Sequence, residues 1–217
     1  MDYRIGLIDS NELVRSGRAM IFNAQPTMKV VFEESDPGLA IERAPDYLVD
    51  VLVVGPSQHR MRGDQFIKLL CAALAEAKND CAVIAYNAFS DERLRFAALQ
   101  SGAQEFVGLD ESAERFIDLV RQVTKKDHLV DVAILSELVS KFGPLDSNAR
   151  LEVQLASLSE QQTKMVALFV AGTKDQDIAK EFDSARTRVT QLIDGLVVAA
   201  GFTSRNQLCM YLLGALK

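Results

Sequence analysis

Through the first 125 residues, short apolar runs alternate with segments whose apolar residues recur every three or four positions. That is the pattern of a parallel sheet covered on both faces by helices. Ile5-Gly6-Leu7-Ile8 is the first run. It ends at Asp9-Ser10-Asn11 and is followed by Leu13, Val14, Gly17, Met20 and Ile21 at the spacing of one buried helix face. Residues 28–32 predict a second strand, 37–43 a short helix before Pro45, and Val51-Leu52-Val53-Val54 a central strand with no polar position. Phe66, Ile67, Leu69, Leu70, Ala73 and Leu74 form the next helical stripe. A strand at 82–85, a helix over 92–99 closed by Gly102, a strand at 105–107 and a helix carrying Phe116, Ile117, Leu119, Val120 and Val123 complete five strand–helix repeats.

After Lys125-Lys126 the alternation stops. Residues 129–142 predict one more helix, broken by Gly143-Pro144, and 144–157 is polar and weakly patterned, as a linker is. The last 60 residues read as all helical. Ser159-Glu160-Gln161-Gln162 fits a capping box, with a stop at Gly172, and Thr173-Lys174-Asp175-Gln176 repeats the start signal. Val189, Leu192, Ile193, Leu196 and Ala200 place a third helix ending at Gly201, and a fourth follows Thr203-Ser204. Two short helices joined by a tight turn within a four-helix unit suggest a helix-turn-helix. The expected organisation is a domain at 1–126, a linker helix and linker at 127–157, and a second domain at 158–217.

Composition narrows the function classes. The 217 residues carry 24 Lys+Arg and 30 Asp+Glu, a net charge of −6, which removes the simple case of a strongly basic nucleic-acid binder. Cys71, Cys81 and Cys209 are widely separated and sit in apolar contexts, so they read as reduced core residues, and neither histidine, His59 or His128, has a cysteine nearby to make a metal site. His59 beside Arg60 and Arg62 reads as a solvated loop or a small basic ligand-binding spot. The apolar stretch near the N-terminus is too short for a signal peptide or a membrane span, so a cytoplasmic protein without membrane attachment is expected. No nucleophile–base pair, glycine-rich phosphate loop or paired carboxylates of catalytic spacing are present, so the chain does not read as an enzyme, and no cofactor is expected.

The residues resemble response regulators of the LuxR/NarL type over nearly the whole chain. In the second domain the resemblance rests on Leu158-Ser159, Gly172 followed by Ile178-Ala179, Val189, Gly201, and Ser204-Arg205 with Gln207. In the first it rests on the strand–helix order, Asp9 after the first strand, the segment from Asp50 to Gly63, and Gly102-Ala103. The resemblance implies a flavodoxin-like (βα)5 receiver followed by an all-α four-helix helix-turn-helix domain that binds double-stranded DNA. Receivers of this type carry a phosphoacceptor Asp after the third strand, an acidic pair after the first, a Thr or Ser after the fourth and a Lys after the fifth. Here those positions hold Gly55, Asp9 and Ser10, Asn87, and Leu109. Phosphoryl transfer to Asp needs that carboxylate and a Mg²⁺ ion held by several oxygens. The resemblance with these departures implies a pseudo-receiver without a phosphoacceptor, and Asp9 reads as a turn or cap residue rather than a ligand. Ser57, two residues past Gly55, has no adjacent base to make it a substitute nucleophile.

By the same resemblance the third helix of the second domain enters the major groove. Its outward residues Arg186, Thr187, Arg188, Thr190 and Gln191, with Arg205, are the candidate DNA contacts, Asp194 facing where a phosphate or base edge would be. From Leu158 onward the net charge is +1, and the rest of the chain carries −7, so weak non-specific DNA affinity is expected. The last helix is apolar on more than one side, and Leu208, Tyr211, Leu212 and Leu216 are the candidate homodimer contacts, with the helix around Phe116 and the linker helix as further candidates. Two readings stand. One is a phosphorylation-independent transcription factor, its pseudo-receiver setting dimerisation or sensing a protein or small-molecule ligand. The other is an interaction module that titrates or bridges other regulators without contacting DNA.

Overall fold

The computed structural model describes residues 3–55, 61–88, 91–108 and 111–215. They fall into two compact units, Met1–Lys125 and Lys126–Lys217.

In the first unit β1 (Tyr3–Ile8), β2 (Met28–Glu34), β3 (Val51–Val54), β4 (Ala82–Asn87) and β5 (Glu105–Gly108) alternate with α1 (Glu12–Asn23), α2 (Pro37–Arg43), α3 (Gly63–Glu76), α4 (Glu92–Gln100) and α5 (Ala113–Val123). All pairings are parallel and the strand order is β2-β1-β3-β4-β5, the flavodoxin-like winding whose ligand crevice lies beyond the carboxyl ends of β1 and β3. The expected (βα)5 architecture is present. Ile8 pairs with Val54, so Asp9 and Gly55 leave the sheet side by side. One face of the sheet packs Leu52, Val54, Val83 and Phe106 against Phe66 and Leu70 of α3, and the other packs Leu7, Val53, Ile84 and Tyr86 against Phe22 of α1 and Phe116 of α5.

Helix α1 departs from its expected orientation. Leu13 is 85% and Met20 74% exposed, and Ile21 is exposed as well. Of the expected face Val14 packs on the core, joined by Ala19 and Phe22, and the Asn11 Oδ1 accepts from the Leu13 and Val14 N–H groups at the helix start. The candidate dimer contacts around Phe116 are corrected too: Phe116, Ile117, Val120 and Val123 are buried within their own unit.

The second unit holds the expected linker helix α6 (Val132–Phe142), one helix not expected, α7 (Ala149–Ala156), and the expected four helices α8 (Glu160–Val170), α9 (Asp175–Glu181), α10 (Arg186–Ala199) and α11 (Arg205–Ala215). The stretch expected as a linker therefore differs. Residues 127–157 belong to this unit, and α7 starts on Asn148, whose side chain accepts from Leu151 N–H, and buries Leu151. The capping box at Ser159 and Gln162 is formed, and Gly172 ends the following turn with φ at +85°. The second start signal is not used as a cap: Lys174 precedes α9 with no side-chain cap bond, and Asp175 turns inward. The three cysteines are buried and form no disulfide, and burial pushes the Cys209 thiol up to about 12.

Candidate receiver pocket and DNA-reading face

At the carboxyl edge of the first sheet, Asp9 is buried at 3% exposure. One of its oxygens accepts the Asn11 N–H at 2.7 Å and the other accepts the Tyr86 hydroxyl, while the Asp9 carbonyl accepts from Arg15 at 2.7 Å. Asp9 is thus a turn residue, as read, with a buried phenol added. Tyr86, the penultimate residue of β4, was missed. It precedes Asn87, whose side chain closes onto the next backbone N–H at 2.7 Å, and an aromatic inside an apolar strand gives no sequence signal beyond core. Burial pushes the Tyr86 phenol up, and its bond to Asp9 adds to the shift.

Gly55 adjoins this pair. A Cβ there would lie 2.6 Å from Asp9 Cγ and 2.8 Å from the Tyr86 hydroxyl, so the space that any side chain would need is taken. The Gly55 φ is not positive, which leaves space rather than backbone conformation as what excludes a side chain. The Arg18 guanidinium stacks 3.7 Å over the Tyr86 ring and 4.6 Å over Phe116, and burial lowers its pKa. Of the other pocket candidates, Ser10 follows Asp9 half-buried, and Leu109 lies outside the described residues, as do Ser57, His59 and Arg60. Arg62 pairs with Asp64 at 2.8 Å.

In the second unit, α9 and α10 are joined by a turn in which Asp183 takes φ +47°, a left-handed conformation that Asp tolerates better than most residues. Beneath it lies a polar network. Arg205, 7% exposed, donates from both terminal nitrogens to Asp175 at 2.8 and 3.0 Å and from Nε to Asp194 at 2.9 Å. The Thr190 hydroxyl donates to Asp175 at 2.6 Å. Burial disfavours the Asp175 carboxylate, but the bonds from Arg205 and Thr190 and the guanidinium charge outweigh it and hold its pKa below the ordinary value. Burial disfavours the Arg205 cation as well, yet the two carboxylates raise its pKa.

This geometry corrects three expectations. Arg205 is an internal tie between α9, α10 and α11 rather than a surface contact. Thr190 is spent on Asp175. Asp194, whose side chain stays partly exposed, is not an unmatched acid, because it shares the Arg205 guanidinium with Asp175. The exposed residues at the start of α10 are Arg186, Thr187, Arg188 and Gln191, with Arg186 in a 3.3 Å ion pair to Asp127.

The candidate dimer contacts are also relocated. Leu208, Tyr211 and Leu212 are buried within their own unit, where α6 packs along α11. The backbone N–H of Val130 donates to Asn206 at 3.0 Å, and the Tyr211 hydroxyl donates to Glu152 at 3.1 Å. Pro144 sits where only Gly214 leaves room, 2.5 Å from where a Cβ would be. Leu216 lies outside the described residues.

No family model matches the chain. It is similar to the transcriptional regulatory protein LiaR of Bacillus subtilis, 24% identical over 214 residues that cover 94% of this chain and 98% of the relative. It is also similar to the oxygen regulatory protein NreC of Staphylococcus epidermidis, 27% identical over 190 residues covering 85% of each. Among solved structures it resembles the RcsB response regulator of Salmonella typhimurium, with a TM-score of 0.53 and 17% identity over 98% of this chain and 99% of that one. A LuxR-family two-component response regulator from Aurantimonas gives a TM-score of 0.55 and 16% identity over 65% and 99%. The RcsB structure shares the fold of the whole chain, a five-stranded parallel sheet with helices followed by a helical C-terminal domain, and the Aurantimonas structure shares the part it covers. No helix among the described residues is long and apolar enough to cross a membrane.

Proposed function

We propose that the chain is a transcription regulator that binds promoter DNA through α10 and does not depend on aspartyl phosphorylation. The observation that carries the DNA reading is the Asp175–Thr190–Arg205–Asp194 network. It fixes α10 against α9 and α11 and pairs Asp194, an acid of α10, with Arg205, leaving Arg186 and Arg188 for phosphate or guanine and Gln191 for adenine. Relatives that match most of the chain are named as regulatory proteins, which supports the same reading. Phosphorylation independence is supported by Gly55, which offers no nucleophile, and by Asp9, which is engaged with Tyr86 and the Asn11 N–H.

The regulator acts as a homodimer in this reading, since two basic residues make a weak reading head and two linked heads bind far better than one. Its pairing surface lies away from the covered face of α11. The test is a selection of sheared genomic DNA by the full-length chain at about 150 mM salt, where non-specific contacts are weakened. Enrichment of inverted half-sites about one helical turn apart, lost in an Arg186→Ala/Arg188→Ala variant that stays folded, is the expected result. A folded chain that enriches nothing returns the function to protein contact.

A further inference from the structure

A receiver whose acceptor is simply deleted would leave a hole at that position. Here the position is filled. Asp9, Tyr86 and the absent side chain of Gly55 share one volume, and the filling is held from three directions: by the Asn11 N–H on Asp9, by the Tyr86 hydroxyl on the other carboxylate oxygen, and by the Arg18 guanidinium lying on the Tyr86 ring. Arg18 also covers Phe116 of α5, and the Tyr86 and Phe116 rings meet edge to face at 6.4 Å. Both Arg18 and Phe116 line a groove of about 270 Å³ between α1 and α5, beside the exposed Leu13 and Ile21. A continuous set of packed groups thus joins the acceptor position to that groove.

We propose that Tyr86 and Asp9 form a built-in plug of the acceptor position, and that Arg18, stacked across Tyr86 and Phe116, makes this plug the fixed support of the α1–α5 surface. The inference rests on the phosphorylation-independent reading and deepens it: the arrangement of α1 and α5 is set by Tyr86 and not by a group added to the pocket. Two discrete states of that surface would require the plug to leave.

The test is a set of full-length variants read by thermal unfolding and by amide exchange. Gly55→Ala adds only the methyl group that meets Asp9 and Tyr86, and is expected to lower the first unit's melting midpoint by about 5 °C or more. Asp9→Ala combined with it recovers part of that loss, so the two effects are non-additive. Tyr86→Leu, which removes both the hydroxyl and the ring under Arg18, is expected to raise amide exchange in α1 and α5 at least about tenfold over the wild type. Tyr86→Phe keeps the ring and raises exchange chiefly at Asn11 and the start of α1. Should Gly55→Ala not fold, the two Tyr86 variants, which add no volume, carry the test. A Gly55→Ala as stable as the wild type, additive effects, or unchanged α1 and α5 exchange in folded Tyr86→Leu overturns the plug. Treating the wild type with acetyl phosphate and Mg²⁺ reads the underlying function separately: a gain of one phosphoryl mass overturns phosphorylation independence whatever the variants show.

Discussion

Removing the buried Arg205 guanidinium leaves the equally buried Asp175 carboxylate without its cation, which typically costs about 3–5 kcal/mol. Arg205→Met is therefore expected to unfold the second unit or lower its denaturation midpoint sharply. Arg205→Lys, which keeps the charge but not the fork that spans Asp175 and Asp194, loses a smaller share. Were Arg205 a DNA contact, both variants would keep wild-type stability and lose only affinity, so urea titration separates the two roles. The pH dependence has a definite sign. Folding holds the Asp175 carboxyl below its ordinary 3.8, so its stabilisation is complete above about pH 4 and is lost as pH falls through the folded value. Melting curves of the wild type are expected to drop more steeply below that pH than those of Asp175→Asn. None of this network was legible in the sequence. Charged residues at a helix start read as solvated, and partners 11 and 30 positions upstream leave no periodic trace. The exposure of Arg186, Arg188 and Gln191 was legible, because the apolar face of α10 at Val189, Ile193 and Leu196 fixes which positions point away.

Helix existence was read correctly wherever apolar spacing or capping chemistry was strong, as in α3, α5, α8 and α10, but spacing alone does not say what a stripe faces. In α1 Leu13, Met20 and Ile21 of the expected stripe point to solvent, and the core is served by Val14 of that stripe with Ala19 and Phe22. The consequence is measurable: Met20→Gln is expected to change stability by no more than about 0.5 kcal/mol, whereas Phe22→Ala, at 0% exposure, costs about 3–5 kcal/mol. Equal costs in chemical denaturation would return α1 to its expected orientation. Helix α7 escaped the pattern for the opposite reason. Its eight residues bury only Leu151 completely, and it is held by contacts that no local spacing encodes, with the Asn148 amide on the Ala200 carbonyl at 2.8 Å and Glu152 on Tyr211.

For the whole molecule, where the second unit begins decides what α11 is free to do. An α11 apolar on several sides needs a second surface, and sequence alone left a partner copy as the natural supplier. The chain supplies it instead. α6 runs along α11, Val130 binds Asn206, Pro144 meets Gly214, and Val132 lies 3.2 Å from where a Cβ on Gly172 would be. A fragment starting at residue 158 would uncover Leu208, Tyr211 and Leu212, an apolar surface that water penalises at roughly 25 cal/mol per Å² and that promotes aggregation. A fragment starting at 126 retains the cover. The expectation is that 126–217 gives a cooperative melting transition and dispersed amide resonances, while 158–217 is unfolded or aggregated. A well-folded 158–217 would mean that residues 127–157 are a dispensable cover, and α11 would then be available to pair two copies of the chain. The same boundary bears on DNA affinity, because Asp127 reaches Arg186 at the start of α10 and competes with any phosphate for it. Asp127→Asn in the full-length chain is expected to strengthen DNA binding by a few-fold and to steepen its salt dependence, since Arg186 would then displace a counterion without first leaving a carboxylate. An unchanged affinity and salt slope in Asp127→Asn would place Arg186 outside the DNA contact.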